Sequence, residues 1–249
     1  MIKILMKEQD FYNDLFDKFK NIVETNKLLN ENIKITGRPL NIEEAIGNPI
    51  KKDYPIIKGK EKLLEANFKG IKGQAFTDMA DNFNGTIKDI IEMPLRTNFD
   101  TAVYIATLNA VCRYLKLTDN TVHCKDEEPE KCADEFIEYI KSEYDNPKIA
   151  LIGFQPAMLE KLGKNFKVRV VDLDSDNIDK VKYNVLVEDG NKPLANLLDW
   201  CDIIVATGST VANKTITNFL TNKRAIFFGT TLSGAAALMN LERFCPCSK

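Results

Sequence analysis

The sequence predicts an α/β protein, and two observations carry the prediction. In the C-terminal part, KIALIG (148–153), KVRVVDLD (167–174), CDIIVATG (201–208) and RAIFFG (224–229) are short apolar or β-branched runs. They alternate with helical stretches at 156–163, 192–199, 210–220 and 232–242. Strands joined through helices pair in parallel, because a parallel connection needs a crossover, and near-continuous apolar strands imply a sheet covered on both faces. The N-terminal part lacks this alternation. These patterns divide the chain into an α+β domain over residues 1–145 and a Rossmann-like parallel-sheet domain over residues 146–249.

Each element has a local cause. Residues 8–29 read as an amphipathic helix, with Phe11, Leu15, Phe19, Ile22 and Val23 recurring every three or four positions between charges. Residues 33–60 are broken by Gly37, Pro39, Gly47, Pro49, Pro55 and Gly59, so short strands and turns are expected. KLLEANFKGIKGQAFTD (62–78) reads as strand, glycine turn, strand, and residues 86–92 as a short helix stopped near Pro94. NFDTAVYIATLNAVCRYLKL (98–117) is the clearest helix. Asn98 is its expected cap, and its apolar face is wide enough to be buried on most sides. DEFIEYIKSEY (134–144) is another amphipathic helix.

Composition excludes several classes. The formal charge of -2, from 34 basic and 36 acidic residues, gives no strong attraction to nucleic acid or to an anionic membrane. No apolar run approaches the roughly 18 residues that span a bilayer, and the apolar start MIKILM is too short for a secretory signal. A cytoplasmic protein is expected, with its six cysteines as thiols or ligands rather than disulfides.

Ligands of open parallel sheets bind beyond the carboxyl ends of the strands, where strand order reverses. Here those ends carry Gly153 and Pro156, Asp172, then Thr207, Gly208 and Ser209 with Asn213 and Thr215 behind, and finally Gly229, Thr230 and Thr231. Glycine lets a ligand approach the backbone, and helix-start N–H groups attract anionic oxygens. Each turn by itself suits ordinary turn and cap chemistry. Repetition along one edge points to a site for a small polar ligand. GFQPAM is not G-x-G-x-x-G, so NAD binding is not expected, and Asp172 is left as a candidate contact for another hydroxyl or amine. Asn109, inside the apolar helix, makes either a structural hydrogen bond or a ligand contact.

The segment TVHCKDEEPEKCAD (121–134) holds the one histidine, His123, beside Cys124, with Cys132 following; Cys245 and Cys247 sit in the C-P-C tail. Cys112 and Cys201 read as small buried hydrophobes. The spacing C-x7-C…C-x-C is not a standard zinc pattern, yet four thiols could hold zinc or an iron–sulfur cluster if the tail folds back. The alternative is an inter-domain connector whose acids raise the thiol pKa values.

KGQAFTD (72–78), ATLNAV (106–111), IALIGFQPAM (149–158), IIVATGSTVANKTI (203–216) and IFFGTTL (226–232) together resemble the putative heavy-metal chelation family over roughly residues 60–240. The resemblance implies an enolase N-terminal-like domain followed by a Rossmann-like domain, with the site in the cleft between them. It implies Asn109, Gly153, Pro156, Thr207, Gly208, Ser209, Asn213, Thr215, Gly229, Thr230 and Thr231 as candidate ligand-binding residues. The expected function is metal handling, through a small polar or metal-chelating ligand. A transition metal or iron–sulfur cluster is the candidate cofactor and a homo-oligomer the candidate assembly. Two alternatives stay open: a transferase using an S-adenosylmethionine-like cofactor, and a zinc or iron–sulfur protein ligated by Cys124, Cys132, Cys245 and Cys247 with His123.

Overall fold

A computed structural model describes residues 8–35, 40–79 and 81–249. It is a mixed α/β structure with two sheets. The expectations for residues 1–7 and for the breakers Gly37 and Pro39 lie outside the described residues.

The first sheet is antiparallel, with β1 (Asn32–Ile35), β2 (Lys62–Phe68), β3 (Ile71–Thr77) and β4 (Phe83–Thr86) in the order β3-β2-β1-β4. Helix α1 (Glu8–Thr25) buries Phe11, Leu15, Phe19 and Val23 of the expected stripe, together with Tyr12, while Ile22 is only half-buried. Residues 42–46 differ from expectation: they form a short helix, α2 (Ile42–Ile46), because Asn41 and Glu44 make a reciprocal capping box. Helix α3 (Ile87–Ile91) is capped by Thr86. Helix α4 (Asn98–Tyr114) is buried continuously from Thr101 to Cys112, which is why it is apolar on nearly every side. Its cap is Thr97 rather than Asn98, since Thr97 and Asp100 complete a capping box.

Helix α5 (Glu128–Glu143) starts six positions before the expected 134, so Cys132 lies on a helix and not in a loop. Pro129 sits in its first turn, where a missing N–H costs nothing.

The second sheet contains β5 (Lys148–Ile152), β6 (Lys167–Asp172), β7 (Val181–Lys182), β8 (Val185–Asp189), β9 (Ile203–Thr207) and β10 (Ala225–Phe228), in the order β10-β9-β5-β6-β8-β7. All neighbours are parallel except the edge strand β7, which pairs antiparallel with β8. The β7–β8 hairpin was not anticipated, because VKYNVLVED carries its turn in Tyr183 and Asn184, both at positive φ without a glycine. Helices α6 (Pro156–Asn165), α7 (Ala195–Trp200) and α8 (Ser233–Met239) follow β5, β8 and β10. The helix expected at 210–220 is instead two single 3-10 turns, Gly208–Val211 and Ile216–Phe219. Hydroxyl and amide side chains there bond to nearby backbone and compete with the helical ladder, and Lys214 breaks the run at φ 62°.

One continuous apolar core joins the sheets, running from α1, β1 and β2 through α4 to β5, β9 and α8. The far face of the parallel sheet packs on α5 and α6. Among the described residues no helix is long and apolar enough to cross a membrane.

Candidate functional site

Strand β5 feeds β6 on one side, whereas the chain returns through β8 to place β9 on the other side of β5. The loops after β5 and β9 therefore diverge, and the strand order reverses between them. A cavity of about 460 Å³ opens there. Its floor is the carboxyl edge of the parallel sheet, contributing Gly153, Asp172, Thr207, Ser209, Asn213, Thr215, Gly229 and Thr231. Its other walls come from the segment before β2 (Tyr54, Ile56, Lys60, Glu61), the end of β3 (Phe76, Thr77, Asp78) and the first residue of α4, Asn98. His123, Cys124, Pro129, Cys132 and Cys245 complete it.

Most of the residues predicted from strand ends are thus brought together. Pro156, Gly208, Thr230 and Asn109 are not on the cavity wall. Pro156 opens α6 and is buried. Gly208 lies against Leu232. Thr230 is fully buried beneath the turn. Asn109 makes the structural bond of its two alternatives: its Nδ2 donates to the carbonyls of Gln74 at 2.9 Å, Thr231 at 3.0 Å and Thr230 at 3.2 Å. Its Oδ1 accepts from Gly234 N at 2.7 Å. Asn109 ties α4 to β3 and to the turn that carries Thr231. Thr231 Oγ1 in turn accepts from Phe76 N at 3.1 Å, a direct clasp between the two sheets at the cavity edge.

Local geometry explains the hydroxyl wall. Thr207 Oγ1 accepts from Ser209 N and donates to Ser209 Oγ, both at 3.3 Å. Asn213 Oδ1 accepts from Thr215 N at 3.2 Å and Thr215 Oγ1 at 2.7 Å, an Asx turn that holds the segment open instead of helical. Gly153 has φ 88°, and a Cβ there would meet Thr207 Cγ2 at 2.7 Å, so glycine is required where β5 passes β9.

Asp172 is committed to architecture. Its Oδ2 accepts from Phe154 N at 2.6 Å, and its Oδ1 accepts from Asp174 N at 2.8 Å and Asn177 Nδ2 at 3.4 Å. It braces the loops after β5 and β6.

Two polar groups on the wall carry no sequence motif. Glu61 makes no hydrogen bond or ion pair among the described residues; burial, then Asp172 and Asp174, push its pKa up to about 7. The Tyr54 hydroxyl is buried and without a partner among the described residues. Both precede β2 in a stretch whose glycines and prolines read only as turns.

The thiols behave unequally. The nearby Cys245, then burial, raise the Cys132 pKa. The nearby Cys132, with Arg243, lowers Cys245 well below an ordinary thiol. Burial raises Cys124 and Cys247, with neighbouring sulfurs and acids adding to the effect. Burial lowers His123, whose Nδ1 lies 2.6 Å from the Cys124 carbonyl. Cys247 is off the cavity wall, beside Glu135. The tail does fold back: Val122 and Lys249 exchange backbone hydrogen bonds at 2.7 and 2.8 Å. Yet among the described residues no three of His, Cys, Asp and Glu are arranged to hold a metal ion. The donor set does not form the tetrahedral centre that zinc or an iron–sulfur cluster requires.

Residues 135–242 match the family DUF364, described as "Putative heavy-metal chelation". A protein of unknown function from that family in Pyrococcus horikoshii has a similar structure: TM-score 0.52 and 16% identity over 87% of this chain and 79% of that one. Another from Desulfitobacterium hafniense gives a TM-score of 0.47 and 14% identity over 72% of each chain. At these identities the first likeness speaks to the fold alone. No curated protein matches.

Proposed function

From the DUF364 match of the C-terminal half, we propose that this protein handles metal by binding a small metal-chelating ligand in the cavity between the sheets. One observation carries the reading. Four strand-end loops, the strap at 121–132 and the tail at Cys245 all deliver polar or thiol groups to one cavity. Its volume of about 460 Å³ lies within the roughly 300–1,000 Å³ range of small-molecule sites. Hydroxyls and amides at Thr207, Ser209, Asn213 and Thr215 suit the oxygens of a chelator, while Ile152, Phe154, Val171 and Phe228 cover its carbon frame. A hard or tetrahedral ion would arrive with its own donors, since the described residues of the wall do not assemble a three-ligand group.

The test uses the anaerobically purified full chain. Iron, cobalt, nickel, zinc and copper salts are added alone and as citrate and acetohydroxamate complexes, and the melting temperature is followed. A complex is expected to raise it more than its parent salt, by several degrees at saturating concentration, through preferential binding to the folded state. Ser209→Trp, which places an indole in the cavity, is expected to abolish the rise. Protein stabilised by none of the probes, or a shift undiminished in Ser209→Trp, would overturn the proposal.

A further inference from the structure

We propose that His123 is the protein's own ligand to the metal of a bound chelate, its Nε2 filling a coordination position that the chelator leaves open. The inference rests on the chelate-binding reading of the cavity. It narrows the ligand class to chelators that do not saturate their metal, loaded with a divalent ion of the zinc, nickel or copper kind.

His123 is the only histidine of the chain and lies on the cavity wall. Its Nδ1 is 2.6 Å from the Cys124 carbonyl. A carbonyl oxygen only accepts, so Nδ1 carries the proton and the lone pair of the neutral ring is on Nε2. Burial favours that neutral ring. Nε2 has no hydrogen-bond partner among the described residues. Unlike the Tyr54 hydroxyl it is not shut off from solvent, and the space that His123 borders is the cavity. An imidazole whose other nitrogen donates to a backbone carbonyl has the arrangement that orients histidine ligands in metal sites and raises their basicity.

The ring is held before any ligand arrives. The backbone N–H of His123 donates to Gln74 Oε1 at 2.7 Å, and Gln74 Nε2 donates to Glu65 Oε2 at 2.8 Å. Gln74 N donates to the Thr121 carbonyl at 3.0 Å, so Gln74 fastens the strap on both sides of Val122. Gln74 and Glu65 are buried, and Lys72 Nζ lies 2.9 Å from Glu65. Phe76 packs nearly perpendicular to the imidazole, with ring centroids 5.2 Å apart. A donor fixed in this way loses little further freedom on ligation.

One nitrogen does not hold an ion by itself, and no three of His, Cys, Asp and Glu are arranged to do so among the described residues. The remaining donors therefore come from the chelator. In the ligation step the Nε2 lone pair forms a bond to the metal and a metal-bound water leaves; Nδ1 keeps its proton and no electron moves. Imidazole suits zinc, copper and nickel, which sets the metal class.

The experiment uses the untagged, reduced full chain labelled with nitrogen-15 in histidine. Its single ring gives one Nδ1 and one Nε2 resonance, followed by long-range proton–nitrogen correlation. The free chain is expected to show a protonated Nδ1 and a bare Nε2. Zinc(II) nitrilotriacetate, with chelator in excess, should displace the Nε2 resonance and leave Nδ1 protonated. Nitrilotriacetate alone, and zinc ethylenediaminetetraacetate, which offers no free position, should leave Nε2 unmoved. In a second measurement, His123→Gln should weaken zinc nitrilotriacetate binding by about tenfold or more, read from the concentration dependence of the melting temperature. The proposal is overturned if the free chain protonates Nε2, if Nε2 stays in place while zinc nitrilotriacetate stabilises the fold, or if His123→Gln binds the complex as the native chain does. Each of those outcomes leaves the chelate-induced stabilisation and its loss in Ser209→Trp standing. Absence of stabilisation by every complex removes the chelate reading and this inference with it.

Discussion

Glu61 is the cavity group whose chemistry is most exposed to pH. Its folded-state pKa is about 7 against an ordinary 4.5, so between these values the folded chain holds a proton that the unfolded chain has released. Stability contributed by this residue therefore falls as pH rises through that window. Replacing the carboxyl with an amide removes the burden. Glu61→Gln is expected to be more stable than the native chain at pH 8 and indistinguishable near pH 4, as read by urea denaturation at both pH values. An equal effect at the two values would show that Glu61 does not titrate in this way. Nothing in GKEKLL marks this glutamate, because desolvation is imposed by residues distant in sequence. Thr207, Ser209, Asn213 and Thr215 could be named from the sequence because turn chemistry and strand ends are local. Asp172 was readable as a residue at the edge of the site, but not as one whose oxygens are already taken by the amides of Phe154 and Asp174.

At the level of elements, α4 is the hinge of the architecture. Gly73 of β3 lies so close to it that a Cβ would meet Ala110 N at 2.3 Å. On its other side Gly234 of α8 approaches Leu108 and Asn109. Asn109 fills the gap with bonds to both neighbours. Asn109→Ala would strand the Gly234 N–H and leave the carbonyls of Gln74 and Thr231 without this donor in a dry interior. A loss of about 3 kcal/mol is expected, since one unpaired buried group costs roughly 1–3 kcal/mol. Urea denaturation measures it, and a change below about 1 kcal/mol would mean that relaxation or water replaces the amide. The wide apolar face of residues 98–117 predicted a buried helix. It could not say that the helix is buried between the antiparallel sheet and α8, because periodicity reports how much surface is covered and not by what. The segment at 210–220 misled for a related reason: its apolar spacing suits a helix, but Asn213 and the hydroxyls bind their own backbone first.

Across the whole molecule, the strap at 121–132 and the tail at 245–249 fasten each other. Lys249 pairs with Val122, Arg113 Nη1 donates to the Lys249 carbonyl at 3.0 Å, and Lys249 Nζ lies 3.0 Å from Glu128. Deleting residues 245–249 is expected to leave the two sheets folded while speeding hydrogen exchange at the Val122 amide by at least tenfold, with β5 and β9 unchanged. Unaltered exchange at Val122 would show that the tail does not hold the strap. Four of the five parallel strands, their parallel pairing and the edge on which polar turns gather were readable from local pattern, because strand length, apolar continuity and turn chemistry are short-range properties; β8 with its β7 hairpin and the non-helical segment at 210–220 were not. The burial of Glu61 without a hydrogen-bond partner among the described residues and the clasp from Phe76 to Thr231 were decided only by tertiary packing. Such contacts join residues that are distant in the chain, and the free energy that selects them comes from burying the continuous apolar core that joins the sheets rather than from the preferences of any single segment.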